Sequence, residues 1–141
     1  MGFDESTNTL YVTDGSEYLH LWDATTLTLT SKVPVAFYTT STSMDASSTS
    51  EPQLVASNQD NLNELEWDYH SGTVLSNVWK TDYIVRLDPA NGQILTRYDL
   101  SGLPRGTNVL NGIAVTDEPN VLWVTGKLWP SMHKIRLIDE P

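Results

Sequence analysis

The chain has no cysteine among its 141 residues, so disulfides and thiolate metal sites are excluded, though compartment is not. It has no apolar run near the roughly 18 residues that a membrane-crossing helix needs. No basic start followed by an apolar core is visible at the N-terminus, so no signal peptide is read there. It lacks an Asn-x-Ser/Thr sequon, and basic residues are scarce. Eight Lys and Arg against eighteen Asp and Glu leave a formal net charge of −10. Phosphate backbones and anionic bilayers repel such a surface, so neither nucleic acid nor membrane is an expected partner. Gly-rich phosphate loops, serine nucleophile elbows and Cys/His clusters are missing too. The three histidines (His20, His70 and His133) have no ligand spacing, and no metal ligand or cofactor is assigned.

Alternation of period two is what the chain does have, and sustained helical periodicity is hard to find. Leu10 and Val12 share a face, and Leu19 and Leu21 alternate with Tyr18, His20 and Trp22. Strands are expected again over 61–67, 73–79, 83–87, 93–100, 112–116, 121–125 and 132–138. Turn chemistry separates them, as in Asp14-Gly15-Ser16, His70-Ser71-Gly72 and Asp88-Pro89-Ala90-Asn91-Gly92. The segment Thr39–Pro52 is rich in Ser and Thr and offers no packed face, so it reads as a solvated loop insertion. With 39% hydrophobic residues, the chain suffices for one all-β domain.

Aligning these strands reveals a repeat. Val12-Thr13-Asp14 precedes Tyr18–Asp23, Val78-Trp79-Lys80-Thr81-Asp82 precedes Tyr83–Asp88, and Val124-Thr125-Gly126-Lys127 precedes His133–Leu137. The second interval is 46 residues and the first is 66, a difference close to the length of the Ser/Thr-rich loop with its flanks. Repeats of about 40–50 residues built from four short strands indicate β-propeller blades. The chain is expected to form a partial propeller of four-stranded antiparallel blades over 1–141, about three of them, whereas a closed ring typically takes about four to eight.

Polar and aromatic residues recur within this frame. Leu62-Asn63-Glu64-Leu65-Glu66-Trp67, Asn77-Val78-Trp79-Lys80-Thr81-Asp82 and Val124-Thr125-Gly126-Lys127-Leu128-Trp129-Pro130 carry most of the candidate chemistry, the last preceded by Val109–Ala114. Corresponding strand ends of a propeller converge on its central channel, so Asn63, Trp79 and Lys127 are expected to share one pocket: an amide, an aromatic wall and a cation. The bland alternatives are a satisfied turn amide, an inter-blade filler and a solvated turn lysine. Glu64 and Glu66 alternate on one strand and read as a solvated face in preference to a paired acid site. Trp123 and Trp129 read as packing residues.

In that order, Asn-Glu-Leu-Glu-Trp, Asn-Val-Trp-Lys-Thr-Asp, Val-Leu-Asn-Gly-Ile-Ala and Val-Thr-Gly-Lys-Leu-Trp-Pro resemble the glutaminyl-peptide cyclotransferases of the plant and bacterial type, from Gly2 to Leu137. The resemblance implies a five-bladed propeller that converts N-terminal glutamine of peptides to pyroglutamate and releases ammonia. It implies substrate binding by Asn63, a pocket wall from Trp79, and Lys127 beside the reacting amide, with Asn63 and Lys127 as catalytic groups. A secretory location is a family expectation.

Four departures accompany the match. The family's acid/base glutamate lies in a Phe-Gly-Glu-Gly-Leu segment that these 141 residues do not contain. Met1-Gly2 falls where the family has Trp-Gly, Asn108 stands in place of a frequent aspartate, and Lys80 replaces a common glutamine. The expectation is therefore the C-terminal part of such an enzyme, truncated, inactive by itself and carrying about half of the active site. Open blade edges would favour self-association. The alternative is a non-catalytic propeller module that serves as an interaction surface.

Overall fold

The computed structural model describes residues 1–41, 53–104 and 107–138. Among the described residues it is all-β, with three successive antiparallel blade sheets and a separate two-stranded hairpin. The first blade is β1 (Gly2–Asp4), β2 (Thr9–Val12), β3 (Tyr18–Asp23) and β4 (Thr28–Pro34), in that order across the sheet. A hairpin of β5 (Ala36–Ser41) and β6 (Gln53–Asn58) follows. The second blade is β7 (Leu62–Asp68), β8 (Thr73–Val78), β9 (Tyr83–Leu87) and β10 (Ile94–Asp99). The third has three strands among the described residues, β11 (Leu110–Val115), β12 (Val121–Gly126) and β13 (His133–Arg136). The expected partial propeller is the observed architecture.

The same turn chemistry closes equivalent hairpins in every blade. Asp4 accepts hydrogen bonds from the Ser6 amide and from the Ser6 and Thr7 hydroxyls; Asp68 accepts from the His70 amide and the Ser71 hydroxyl. In the third blade the Thr116 hydroxyl takes the Glu118 amide. Each turn ends on a residue with positive φ: Asn8 (55°), Gly72 (68°) and Asn120 (61°). Asn and Gly are the residues that tolerate this conformation. A polar side chain at the start and Asn or Gly at the end thus supply the reversal from within each turn.

Two apolar layers join the blades. Tyr11, Leu19, Leu62, Leu65, Val74, Val85 and Leu87 fill the first junction, while Leu75, Ile84, Leu110, Ile113, Leu122 and Val124 fill the second. Both faces of the middle blade are therefore covered at β8, while Leu95, Arg97 and Asp99 of the outer strand β10 stay exposed. This double cover explains why every residue of β8 is buried: Val74 points into one layer and Leu75 into the other, as strand alternation requires.

Thr39–Ser41 differ from the expected loop. They complete β5 and pair with Gln53–Val55. Threonine's β-branch suits a strand, and a hairpin partner supplies backbone hydrogen bonds regardless of how polar the side chains are. Residues 42–52, the rest of the expected loop, lie outside the described residues. The chain entering this hairpin is seated on Gly92 (φ 74°), where any Cβ would stand 2.0 Å from the Pro34 carbonyl oxygen. The Ala36 amide then donates to the Gly92 carbonyl at 3.1 Å.

One buried polar network ties the second blade to the third. The Arg86 guanidinium reaches Asp68 at 2.9 Å, Asn120 at 3.0 Å, the Tyr98 hydroxyl at 3.0 Å and the Ser71 hydroxyl at 2.7 Å. The side chains of Arg86 and Asp68 are 8% and 2% exposed. Breaking such a pair strands a charge in the interior, whereas replacing both partners with apolar groups does not. Asp68→Leu is expected to cost about 3–5 kcal/mol in chemical denaturation, and Asp68→Leu with Arg86→Met clearly less than the sum of the single losses. Additive losses would show that the ion pair does not couple the two positions.

Candidate active site at the inner strand ends

The first strands β1, β7 and β11 lie side by side at the inner edge of the three blades. Gly2 approaches β7 so closely that a Cβ would stand 2.7 Å from the Trp67 amide nitrogen. The Met1 amino group donates to the Leu65 carbonyl at 3.3 Å. Between β7 and β11 the Asn63 side-chain amide donates to Asn111 Oδ1 at 3.0 Å.

Both asparagines sit in bulges that the sequence pattern does not announce. On β7, Leu62 pairs with Val78 and the next partners are Leu65 and Ser76, so Asn63 and Glu64 oppose Asn77 alone. On β11, Leu110 pairs with Gly126 and then Ile113 with Val124, so Asn111 and Gly112 oppose Thr125 alone. A bulge adds one residue to one strand and re-aims its side chains. The Asn63 and Asn111 positions are therefore equivalent in successive blades. Asn77, fully buried, accepts the Gly112 amide at 3.0 Å, and the Thr13 hydroxyl donates to the Asn63 carbonyl.

The turn after the second strand is also repeated. The Trp79 and Lys127 amides donate to the Asn61 and Val109 carbonyls at 2.8 and 3.0 Å. The Thr81 and Trp129 amides then close on the Val78 and Gly126 carbonyls, both at 3.1 Å. Lys80 (φ 64°) and Leu128 (φ 56°) take the left-handed conformation between them. Trp79 and Lys127 thus occupy the same place in neighbouring blades, whereas Asn63 belongs to a different one. In the third blade Gly126 is required because the Trp129 ring folds back over it, 2.2 Å from where a Cβ would be. The Trp129 indole anchors that ring by donating to the Asn108 carbonyl at 2.8 Å.

Asn63 and Trp79 line one cavity of about 400 Å³, together with Thr13, Asp14, Gly15 and Asn61. The Asp14 carboxyl is held below the usual carboxylate range by the Ser16 hydroxyl and amide, and lies 3.3 Å from the His20 imidazole. Lys127 is not brought into this cavity. It is exposed on its turn. Trp129 packs against the second apolar layer, while Trp123 is 41% exposed.

Glu64 and Glu66 are not a solvated face. Burial pushes the Glu64 carboxyl up from an ordinary 4.5 to about 7, against the opposing charge of the Met1 amino group and one hydrogen bond from the Ile113 amide. Among the described residues its buried Oε2 has no hydrogen-bond partner. Glu66 is raised too, chiefly by burial, and accepts the Val115 amide. Alternation alone could not reveal this, because it does not say which neighbouring strand covers the face. The signal was present in the recurrence of Leu-Asn-x-Leu/Ile at 62–65 and 110–113. Among the described residues, no three His, Cys, Asp or Glu side chains come together as a metal site.

A family model described as glutamine cyclotransferase matches residues 2–137. The chain belongs to the glutamine cyclotransferase family. Within that family it is similar to glutaminyl-peptide cyclotransferase of Arabidopsis thaliana, with 44% identity over 84 residues, 54% of this chain and 26% of that protein. It is also similar to the crystal structure of Myxococcus xanthus glutaminyl cyclase, with a TM-score of 0.71 and 25% identity over 92% of this chain and 51% of that one. This family member therefore spans about half the length of its solved relative.

The raised Glu64 carboxyl carries a sign. Between about pH 4.5 and 7 the unfolded chain ionises Glu64 while the folded one keeps its proton, so this group's contribution to stability falls as pH rises. Glu64→Gln removes that dependence. Its melting temperature relative to wild type is expected to climb through this interval and level off above it. A difference that stays constant across the interval would show that Glu64 titrates normally.

Proposed function

We propose that this chain forms the Asn63–Trp79 half of a glutaminyl-peptide cyclotransferase site acting on peptides with N-terminal glutamine. The observation that carries the reading is the cavity shared by Asn63 and Trp79, in a chain that the family model matches almost end to end. In the reaction, the α-amine nitrogen of the terminal glutamine attacks its own side-chain carboxamide carbon. A five-membered lactam forms, the C–N bond to the carboxamide nitrogen breaks, and the amine proton leaves with that nitrogen as ammonia.

The developing negative charge falls on the carboxamide oxygen, and a positioned amide donor stabilises it better than mobile water does. Asn63 supplies such a donor. Trp79 gives the aliphatic part of the glutamine an apolar wall. Lys127 stands in the third blade where Trp79 stands in the second, which supports a role at the same end of the axis. The Phe-Gly-Glu-Gly-Leu segment that the family resemblance links to proton transfer is not among these residues.

A non-catalytic module is the second reading. The observation that favours it is the exposure of Lys127, away from the Asn63–Trp79 cavity.

Ammonia release from a glutamine-initiated peptide separates the two. Turnover by the chain alone is expected about 10²–10⁴-fold below that of the Arabidopsis relative, the usual contribution of a general acid/base. Asn63→Ala should remove a further factor of about 10²–10³ from kcat, as loss of one oxyanion donor does. Peptide binding with no release of ammonia would support the module instead.

A further inference from the structure

Asn63 has a side chain whose useful orientation is not fixed by its own covalent structure. The last torsion of asparagine is broad and roughly two-fold, so oxygen and nitrogen exchange places at little cost unless a neighbour distinguishes them. The backbone of Asn63 is held from the first blade, where the Thr13 hydroxyl donates to its carbonyl. Its side chain is held from the third blade, where Asn111 Oδ1 takes one Nδ2 hydrogen at 3.0 Å. No other hydrogen bond of the Asn63 side chain is made among the described residues, so Asn111 alone distinguishes its two ends.

Asn111 is itself held in place. Its bulge is anchored at the next residue, where the Gly112 amide donates to the buried Asn77 side chain of the second blade at 3.0 Å. Gly112 has φ 159° and its Cα packs so close to the Thr125 side chain that a Cβ would stand 2.6 Å from a methyl carbon. The β11 bulge is thus clasped to the second blade twice, by Asn111 to Asn63 on β7 and by Gly112 to Asn77 on β8. A displacement of β11 would break both bonds.

We propose that Asn111 is a positioning residue of the cyclotransferase site, accepting one hydrogen of Asn63 Nδ2 so that the other is presented to the substrate carboxamide oxygen. The proposal rests on the reading of Asn63 as an oxyanion donor. It adds that the donor's orientation is set across a blade junction by a residue that does not line the cavity. An amide turned the other way would present its oxygen to a developing negative charge, which would raise the barrier instead of lowering it.

Two variants and two readouts test this. Asn111→Leu removes the acceptor at nearly constant size, and Asn111→Asp keeps an acceptor and removes the donor. In the free isotope-labelled chain, the Asn63 side-chain amide is identified by its loss in Asn63→Ala, and its hydrogen exchange is followed by NMR. Exchange is expected to quicken about tenfold in Asn111→Leu and to stay protected in Asn111→Asp, the size of one net hydrogen bond. Unchanged exchange in Asn111→Leu, or equal acceleration in both, overturns the proposal.

In the ammonia assay, Asn111→Leu is expected to lower kcat about tenfold while KM stays within about twofold, because the interaction acts on the transition state. A KM effect with unchanged kcat also overturns it. Should Asn111→Leu fail to fold, Asn111→Ser, whose hydroxyl is too short to reach Asn63, is read in the same way. A wild-type chain with no turnover would sink the cyclotransferase reading alone, because the exchange measurement still decides whether Asn111 orients Asn63.

Discussion

A first strand at the inner edge of a blade has a hydrogen-bonded neighbour on one side only, and everything at the centre of this molecule follows from that. The other edge of β11 faces β7 without pairing with it, yet its backbone groups are buried enough to need partners. Side chains take over the task of a missing strand. Glu64 and Glu66 accept the Ile113 and Val115 amides, Asn77 accepts the Gly112 amide, and Thr13 donates to the Asn63 carbonyl. Polar residues that look like surface on paper are here the adhesive between blades.

Two groups of acidic residues accordingly show opposite electrostatics. Asp14, Asp23 and Asp99 sit at turn starts, where nearby hydroxyls and amides hold their carboxyls below the usual range. These turns favour ionised carboxylates and weaken as acid protonates them. Glu64 and Glu66 lie between β7 and β11, where burial outweighs the hydrogen bonds they receive and favours the proton. A single formal net charge of −10 conceals this division.

Much of the fold was legible because the information is local. Alternation on β3 and β9, and Asp, Asn and Gly at the hairpin turns, state their conformations without reference to distant residues. Thr39–Ser41 were misread as loop because their strand depends on a partner that begins at Gln53, beyond a polar segment. Glu64 and Glu66 were misread because burial there is conferred by β11, more than forty residues on. Of the site, Asn63 and Trp79 were expected to meet and do line one cavity, but Lys127 was expected beside them and is exposed on its turn. Equivalence of position in the repeat does not by itself carry a side chain into a shared cavity. The bulges were hidden because one extra residue leaves composition and motif order unchanged while altering which side chains face the axis.

Trp79 and Lys127 grow from one backbone form used twice, with the same amide-to-carbonyl closures and the same left-handed residue following. One copy carries an apolar plane and the other a positive charge. Because the frame is held by main-chain atoms, the identity of the presented side chain is decoupled from the geometry of its presentation. Such a scaffold is a socket: exchanging what is plugged into one blade leaves the neighbouring blade's fitting intact. Duplicated units can therefore diverge in chemistry by single substitutions while the ring they build retains its shape.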